Sequence, residues 1–121
     1  MAWEMSSDRP IYAQIYDKIL VRIVCGIYRA GTRLPSVRDL AAEASVNPNT
    51  MQRAFTELER SGLIVTLRNS GRVVTEDMQM IDSAKRQLAL AQIDSFFANM
   101  RELGYTDQEI MTLINSVVTE K

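Results

Sequence analysis

The sequence of 121 residues predicts a mainly α-helical protein with one small β-hairpin. Apolar residues recur at helical spacing in several segments, and turn-forming residues separate these segments. Two β-branched runs, LIVTL and RVVT, flank the turn-forming set at residues 68–71 and predict the hairpin, with a basic tip. The predicted order is three helices, the hairpin and two more helices, which we divide into a domain over residues 1–75 and a two-helix region over residues 76–121.

The first predicted helix carries one apolar stripe. It lies in PIYAQIYDKILVRIVCG, where Pro10 suits a first-turn position and Gly26 ends the helix. Cys25 belongs to the same apolar run, where a small thiol fits the buried face of a helix, with a reactive thiol as the alternative. We therefore predict that Cys25 is buried. The stripe consists of isoleucines four residues apart, namely Ile11, Ile15, Ile19 and Ile23.

Two helices joined by a tight turn come next. After a brief extended segment over TRLP, Ser36 and Asp39 resemble a capping box that opens the second helix. Asn47 is a good N-cap for the third helix, and Pro48 suits its first position because that N–H has no partner within a helix. Only the dipeptide SV separates the second helix from Asn47. So tight a joint is consistent with a helix-turn-helix.

The third helix has an apolar face and an opposite polar face. The apolar face has the spacing i, i+3, i+4 and i+7 and consists of Met51, Ala54, Phe55 and Leu58. The polar face lies about 140° to 200° from Met51 and consists of Asn49, Arg53, Thr56 and Arg60. Its amide, guanidinium and hydroxyl groups match base edges and phosphates in a DNA major groove, although any solvated helix face can carry them. The free N–H groups of the helix N-terminus add a site for a phosphate.

Charge is distributed unevenly along the chain. The net charge is −1, but residues 1–75 hold ten Lys and Arg against seven Asp and Glu, whereas residues 76–121 hold four against eight. A positive first half is expected if only that half contacts a polyanion. The arginines placed to bind the DNA backbone around the third helix are Arg33, Arg38, Arg68 and Arg72.

Composition disfavours several other functions. The sequence has no histidine, the usual general base and zinc ligand, and it has no GxxxxGK[ST] or GxGxxG phosphate-binding motif. We therefore expect no enzyme, no cofactor and no metal site. No apolar run approaches the roughly 18 to 20 residues that span a bilayer, so we expect a cytoplasmic protein without membrane contact.

Residues 76–121 predict two helices. A long helix runs from Glu76 to about Leu103, and a capping box formed by Thr106 and Glu109 opens the last helix. Both helices carry more apolar residues than one neighbour can cover, which is unusual for lone surface helices.

The segment GIYRAGTRLPSVRDLAAEASVNPNTMQRAFTELERSGLI, followed by NSGRVV, resembles the winged helix-turn-helix domain of the GntR family of bacterial transcriptional regulators. The resemblance covers roughly residues 10–75. It implies that Arg38 and residues 47–53 contact DNA and that residues 68–71 form the wing tip. Many members carry arginines where this chain has Pro48 and Gln52, and Asn69-Ser70-Gly71 replaces the usual GxG of the wing.

The short second half resembles the YtrA-like subfamily, in which two C-terminal helices are implied to form a homodimer and transporter operons are implied targets. We predict a homodimeric repressor bound to a palindromic operator, with a winged helix that makes only protein contacts as the alternative. A small-molecule effector is left open, with Met78, Met80, Met100 and Met111 as residues that could line its site. The predicted DNA-binding residues are Arg33, Ser36, Arg38, Asn47, Asn49, Thr50, Gln52, Arg53, Arg68, Asn69, Ser70, Gly71 and Arg72. The predicted dimerisation residues are Ile81, Leu88, Ile93, Phe96, Phe97, Met100, Ile110, Ile114 and Val117.

Overall fold

A computed structural model describes residues 3–69 and 71–120, and it confirms the predicted fold class. The chain divides into two compact units, with the boundary between Lys85 and Arg86. The predicted functional division between residues 75 and 76 stays a prediction. Within the described residues, no helix is both long and apolar enough to cross a membrane. The elements are α1 (Ile11–Val24), α2 (Val37–Ala44), α3 (Pro48–Ser61), β1 (Ile64–Leu67), β2 (Gly71–Val74), α4 (Met78–Glu102) and α5 (Asp107–Thr119).

Helix α3 lies at the centre of the first unit, where it contacts α1, α2 and β1. Its apolar face is the predicted one, since Met51, Ala54, Phe55 and Leu58 are all fully buried. Leu40 of α2 and the isoleucines of α1 complete the core around it. The position of α3 over the core therefore fixes which of its side chains face solvent.

The ends of α3 follow from local chemistry. The Oδ1 atom of Asn47 accepts a hydrogen bond of 2.8 Å from the Asn49 N–H, and Pro48 is the first helical residue, as predicted. Gly62 ends the helix with φ = +87°, which a residue with a Cβ rarely adopts. The turn from α2 is closed by Ser45, whose φ is +59°, so the predicted tight joint is confirmed.

The hairpin is antiparallel, and the TRLP segment lies beside it. Leu34 N–H donates to the Arg72 carbonyl at 2.9 Å, and Arg33 forms an isolated bridge with Val73. The predicted turn was one residue too long, because Gly71 already belongs to β2, where it pairs with Leu67. Its φ of +71° still favours glycine at this corner, because residues with a Cβ rarely adopt that conformation.

One prediction for α1 is wrong. Cys25 is exposed, because the helix ends at Val24 and Cys25 lies beyond the buried face as the C-cap residue. Ile11 is 38% exposed, whereas Ile15, Ile19 and Ile23 are buried. A spacing of four residues drifts by about 40° per step around a helix, so over twelve residues the first isoleucine moves to the edge of the core.

The segment that precedes α1 is held against α1 and α2 by side chains. The Glu43 Oε2 atom accepts hydrogen bonds from Trp3 Nε1 at 2.7 Å and from Arg22 at 2.8 Å. The Arg22 guanidinium also lies 4.6 Å from the centre of the Trp3 ring. These hydrogen bonds lower the pKa of Glu43, the one from Arg22 most strongly. This cluster joins α1, α2 and the N-terminal segment.

Helix α4 begins later than predicted, at Met78 rather than Glu76. The cause is Asp77, whose Oδ1 accepts a hydrogen bond of 3.2 Å from the Met80 N–H and so caps the helix. The predicted capping box of α5 is confirmed, because the Thr106 and Glu109 side chains each accept a hydrogen bond from the other's backbone N–H.

The second unit contains an apolar groove between the C-terminal part of α4 and α5. Arg101 forms two hydrogen bonds of 2.7 and 3.0 Å with the Asp107 carboxylate, which holds the start of α5 near α4. Phe96 and Phe97 pack edge to face, with their ring centres 6.0 Å apart. The groove is lined by Phe96, Met100, Leu113, Ile114, Val117 and Val118.

Candidate nucleic-acid interface

The outer face of α3 presents the polar side chains that the helical spacing predicts. Asn49, Arg53, Thr56 and Arg60 are exposed. Asn49 lies in the first turn. The free N–H groups predicted there as a phosphate site are not found, because Pro48 has no N–H, Asn49 N–H donates to Asn47 Oδ1 at 2.8 Å, and Thr50 N–H donates to the Asn47 carbonyl at 3.0 Å. The donors that this face of α3 offers are therefore side-chain groups, both neutral and cationic.

Some of the predicted contacts on α3 are already engaged within the helix. The Asn47 Oδ1 atom forms the N-cap, and the half-buried Gln52 donates from Nε2 to Thr56 Oγ1 at 3.3 Å. Thr50 is half-buried in the first turn. Among the predicted residues of α3, Asn49 and Arg53 have the most accessible polar groups.

The start of α2 contributes a second set of predicted contacts. The Ser36 Oγ atom accepts a hydrogen bond of 3.0 Å from the Asp39 N–H, so its hydroxyl caps the helix as predicted. Arg38 is exposed in the first turn of α2. Because α2 packs against α3, Arg38 belongs to the same compact unit as Asn49 and Arg53.

The hairpin supplies the remaining predicted residues. Arg68 and Asn69 are exposed after β1. The Arg33 side chain lies beside Gly71, since a Cβ built on this glycine would be in ordinary van der Waals contact with Arg33 Nε at 3.5 Å. Ser70 lies outside the described residues. The cationic side chains Arg33 and Arg68 thus belong to the same end of the hairpin, as expected for a basic wing.

Arg72 is held differently from the other predicted arginines. Its Nε donates to Glu59 Oε1 at 2.8 Å, and its guanidinium lies 5.3 Å from the centre of the Phe55 ring. The second Glu59 oxygen accepts a hydrogen bond of 2.7 Å from Thr66, the cross-strand partner of Arg72. One carboxylate on α3 thereby holds both strands of the hairpin.

Replacing Glu59 by glutamine is expected to lower the free energy of unfolding by roughly 0.5 to 1 kcal/mol at pH 7, because the charge-assisted bond to Arg72 is lost. Hydrogen bonds from Thr66 and Arg72, in that order, lower the pKa of Glu59. A lowered pKa stabilises the fold at neutral pH, and this contribution disappears as the carboxylate is protonated below about pH 4. Urea unfolding at pH 7 and at about pH 3 measures both effects.

The matched control for this substitution is Glu57→Gln, two residues earlier on the same helix. Among the described residues, Glu57 forms its ion pair with Arg60, at 3.2 Å, and the Arg60 side chain is 72% exposed. Its replacement should therefore change stability by less than about 0.5 kcal/mol. Equal losses in the two variants would contradict the role of Glu59 in holding the hairpin.

Two important side chains were missed by the sequence prediction. Glu59 could be recognised only once the hairpin register pairs Thr66 with Arg72. Tyr12 of α1 has its ring directly under the Arg53 guanidinium, with 3.7 Å between the guanidinium carbon and the ring centre. No local sequence signal joins these two residues, because the contact depends on how α1 packs against α3.

The predicted dimerisation residues divide into covered and accessible side chains. Ile81 and Ile110 are 4% and 0% exposed, so they are already covered within the chain. Leu88, Phe97, Met100 and Ile114 are half-buried. The exposed ones are Ile93, Phe96 and Val117, with exposed fractions of 51%, 44% and 50%.

These features define a class of protein. A helix-turn-helix with a polar outer face on its second helix, followed by a two-stranded wing with arginines, is the architecture of winged helix DNA-binding proteins. The family described as "Bacterial regulatory proteins, gntR family" matches residues 11–74, which is more than half of the chain. The chain therefore belongs to the GntR family, and it is a DNA-binding transcriptional regulator.

Individual relatives support the assignment and the YtrA-like subfamily. The chain is 39% identical over 108 residues to the uncharacterized HTH-type transcriptional regulator YhcF of Bacillus subtilis strain 168, with 89% of each chain covered. It is 38% identical over 100 residues to the HTH-type transcriptional repressor YtrA of the same strain, covering 78% of this chain and 77% of YtrA. A GntR family transcriptional regulator from Listeria monocytogenes superposes with a TM-score of 0.82 at 38% identity, covering 93% of this chain and 98% of that structure.

Proposed function

We propose that the protein is a homodimeric repressor that binds a palindromic operator. The observation that carries this proposal is the exposed polar face of α3, which lies opposite four fully buried apolar residues of the same helix. Asn49 and Arg53 contact base edges, and Arg33, Arg38 and Arg68 contact phosphates. Residues 1–75 bind DNA and residues 76–121 dimerise.

The apolar face of the second unit supports the homodimer. Phe96 and Val117 are about half exposed on the groove between α4 and α5, although they are large apolar side chains. An identical surface on a second copy would cover them around a two-fold axis. The same axis would place two α3 helices in major grooves one helical turn apart, or a multiple of it, which requires an inverted repeat in the DNA.

The proposal also includes repression and a cytoplasmic location. The relative YtrA is named a repressor, and bacterial operators lie in the cytoplasm. A dimer that occupies an operator blocks transcription without a cofactor or catalytic group, which agrees with the absence of histidine in the sequence.

Selection of bound sequences from random duplex DNA tests the proposal. We expect an inverted repeat whose affinity falls as salt concentration rises, because phosphate contacts release counterions. A winged helix that makes only protein contacts would select no sequence, and its residual binding to DNA would show no preference. Selection of a single asymmetric site would contradict the two-fold arrangement.

Replacing Arg38 by alanine is expected to weaken operator binding by roughly 1 to 3 kcal/mol, because an exposed guanidinium in the first turn of α2 no longer contacts DNA. Fluorescence anisotropy titration of a labelled operator measures the change. Arg86→Ala is the control, since it removes the same charge from an exposed position in the second unit. An unchanged affinity of a folded Arg38→Ala variant would remove Arg38 from the interface.

A further inference from the structure

The Arg53 side chain on the outer face of α3 rests on an aromatic ring from another helix. Its guanidinium carbon lies 3.7 Å from the centre of the Tyr12 ring. Tyr12 is half-buried near the start of α1, whereas Arg53 is exposed. The tyrosine therefore has a fixed place in the fold and provides a support under a cation that faces solvent.

The hydrogen-bond donors of Arg53 remain available. Within residues 3–69 and 71–120, no hydrogen bond or ion pair engages the Arg53 guanidinium. Glu57, four residues later on α3, has the spacing for an ion pair with Arg53, but it pairs with Arg60 at 3.2 Å instead. Stacking occupies only the flat face of the guanidinium, so the N–H groups at its edge can still reach an acceptor.

We propose that Tyr12 is a positioning residue that holds the Arg53 guanidinium in the orientation in which it contacts DNA. This inference rests on the proposed binding of DNA by α3. An arginine side chain loses considerable rotamer freedom when it is fixed at an interface. Stacking on Tyr12 before binding removes part of this loss, and it fixes the plane in which the five N–H groups lie. Tyr12 thus contributes to operator affinity through Arg53.

A double-mutant cycle tests this coupling with a fluorescent duplex of the selected operator. Tyr12→Leu, which keeps an apolar side chain but removes the ring, is expected to weaken binding roughly two- to fivefold. Tyr12→Phe keeps the ring and should bind like the parent protein. In the Arg53→Ala background, Tyr12→Leu should change the affinity by less than a factor of about 1.5, because no guanidinium remains to be positioned.

Tyr16 provides the matched control. It lies one turn further along α1 and lines the same surface groove as Tyr12, and the stacking contact of Arg53 is with Tyr12. Tyr16→Leu should therefore leave operator affinity unchanged in both backgrounds. Thermal unfolding of each variant checks the fold, and Tyr12→Met replaces Tyr12→Leu in the cycle if the leucine variant unfolds.

Each outcome bears on the inference. Equal losses for Tyr12→Leu with and without Arg53 would show that Tyr12 only supports the fold, and would overturn the proposal. A loss in Tyr12→Phe equal to that in Tyr12→Leu would also overturn it, because the hydroxyl would then be the active group. If the parent protein selects no DNA sequence, the proposed function itself fails, which is a different result from operator binding without coupling.

Discussion

Replacing Val117 by aspartate is expected to convert the proposed dimer to a monomer at micromolar concentration. Val117 is half exposed on the apolar groove of the second unit, which Phe96 and Met100 line from α4. A symmetric dimer would bury the new carboxylate twice, and each unpaired buried charge costs several kcal/mol. The dimer dissociation constant should therefore rise by roughly 10³-fold or more. Sedimentation velocity over a concentration series measures the shift.

Ser116→Asp is the control for the Val117 substitution. Ser116 is the preceding residue of α5, and it lines a different surface with Tyr105 and Thr112. Both substitutions add a negative charge near the C-terminal end of α5, where it opposes the helix dipole to a similar extent. We expect the Ser116 variant to remain dimeric. An intact Val117→Asp dimer would show that the second unit does not form the interface through this groove.

The loss of the dimer should also weaken operator binding. A monomer can occupy only one half of an inverted repeat, so it loses the contacts of the second α3 helix. Its affinity for a single half-site should change little, because the outer face of α3 belongs to the first unit. Comparing a full operator with an isolated half-site therefore separates a defect in dimerisation from a defect in DNA contact.

Helix α3 could be predicted almost completely because its determinants are local. The cap by Asn47, the proline at the first position and the glycine at the end each act within a few residues of the helix terminus. The apolar spacing of Met51 to Leu58 then sets which face is buried, so the outward positions of Asn49 and Arg53 follow from geometry.

The contacts that individual charged side chains make could not be predicted in the same way. The sequence predicts Arg72 as a DNA-binding cation at the hairpin, but the hairpin register brings it to Glu59 on α3. Arg53 similarly meets Tyr12 through the packing of α1 on α3. Contacts of this kind depend on distances between elements that are remote in sequence, which periodicity does not specify. The prediction that Cys25 is buried was wrong for a local reason, because α1 ends one residue before it.

Replacing Phe55 by alanine is expected to lower the free energy of unfolding of the first unit by roughly 3 to 5 kcal/mol. Phe55 is fully buried in the middle of α3, and its ring lies beneath the Arg72 guanidinium that holds the hairpin. Its removal leaves a cavity under α3 and also takes away the support of Arg72. Because whole domains are stable by only about 5 to 15 kcal/mol, the loss is a large part of the total.

Urea unfolding at one fixed protein concentration measures the Phe55 effect, since the proposed dimer would make stability depend on concentration. Ile27→Ala is the control, because Ile27 is 66% exposed and its truncation should cost less than about 0.5 kcal/mol. The Phe55 variant should also bind the operator more weakly at temperatures where it remains folded, because the hairpin and α3 are then held less firmly together. A stability loss below about 1 kcal/mol would mean that the core beneath α3 does not depend on this ring, and hence that the face opposite it is not positioned as described.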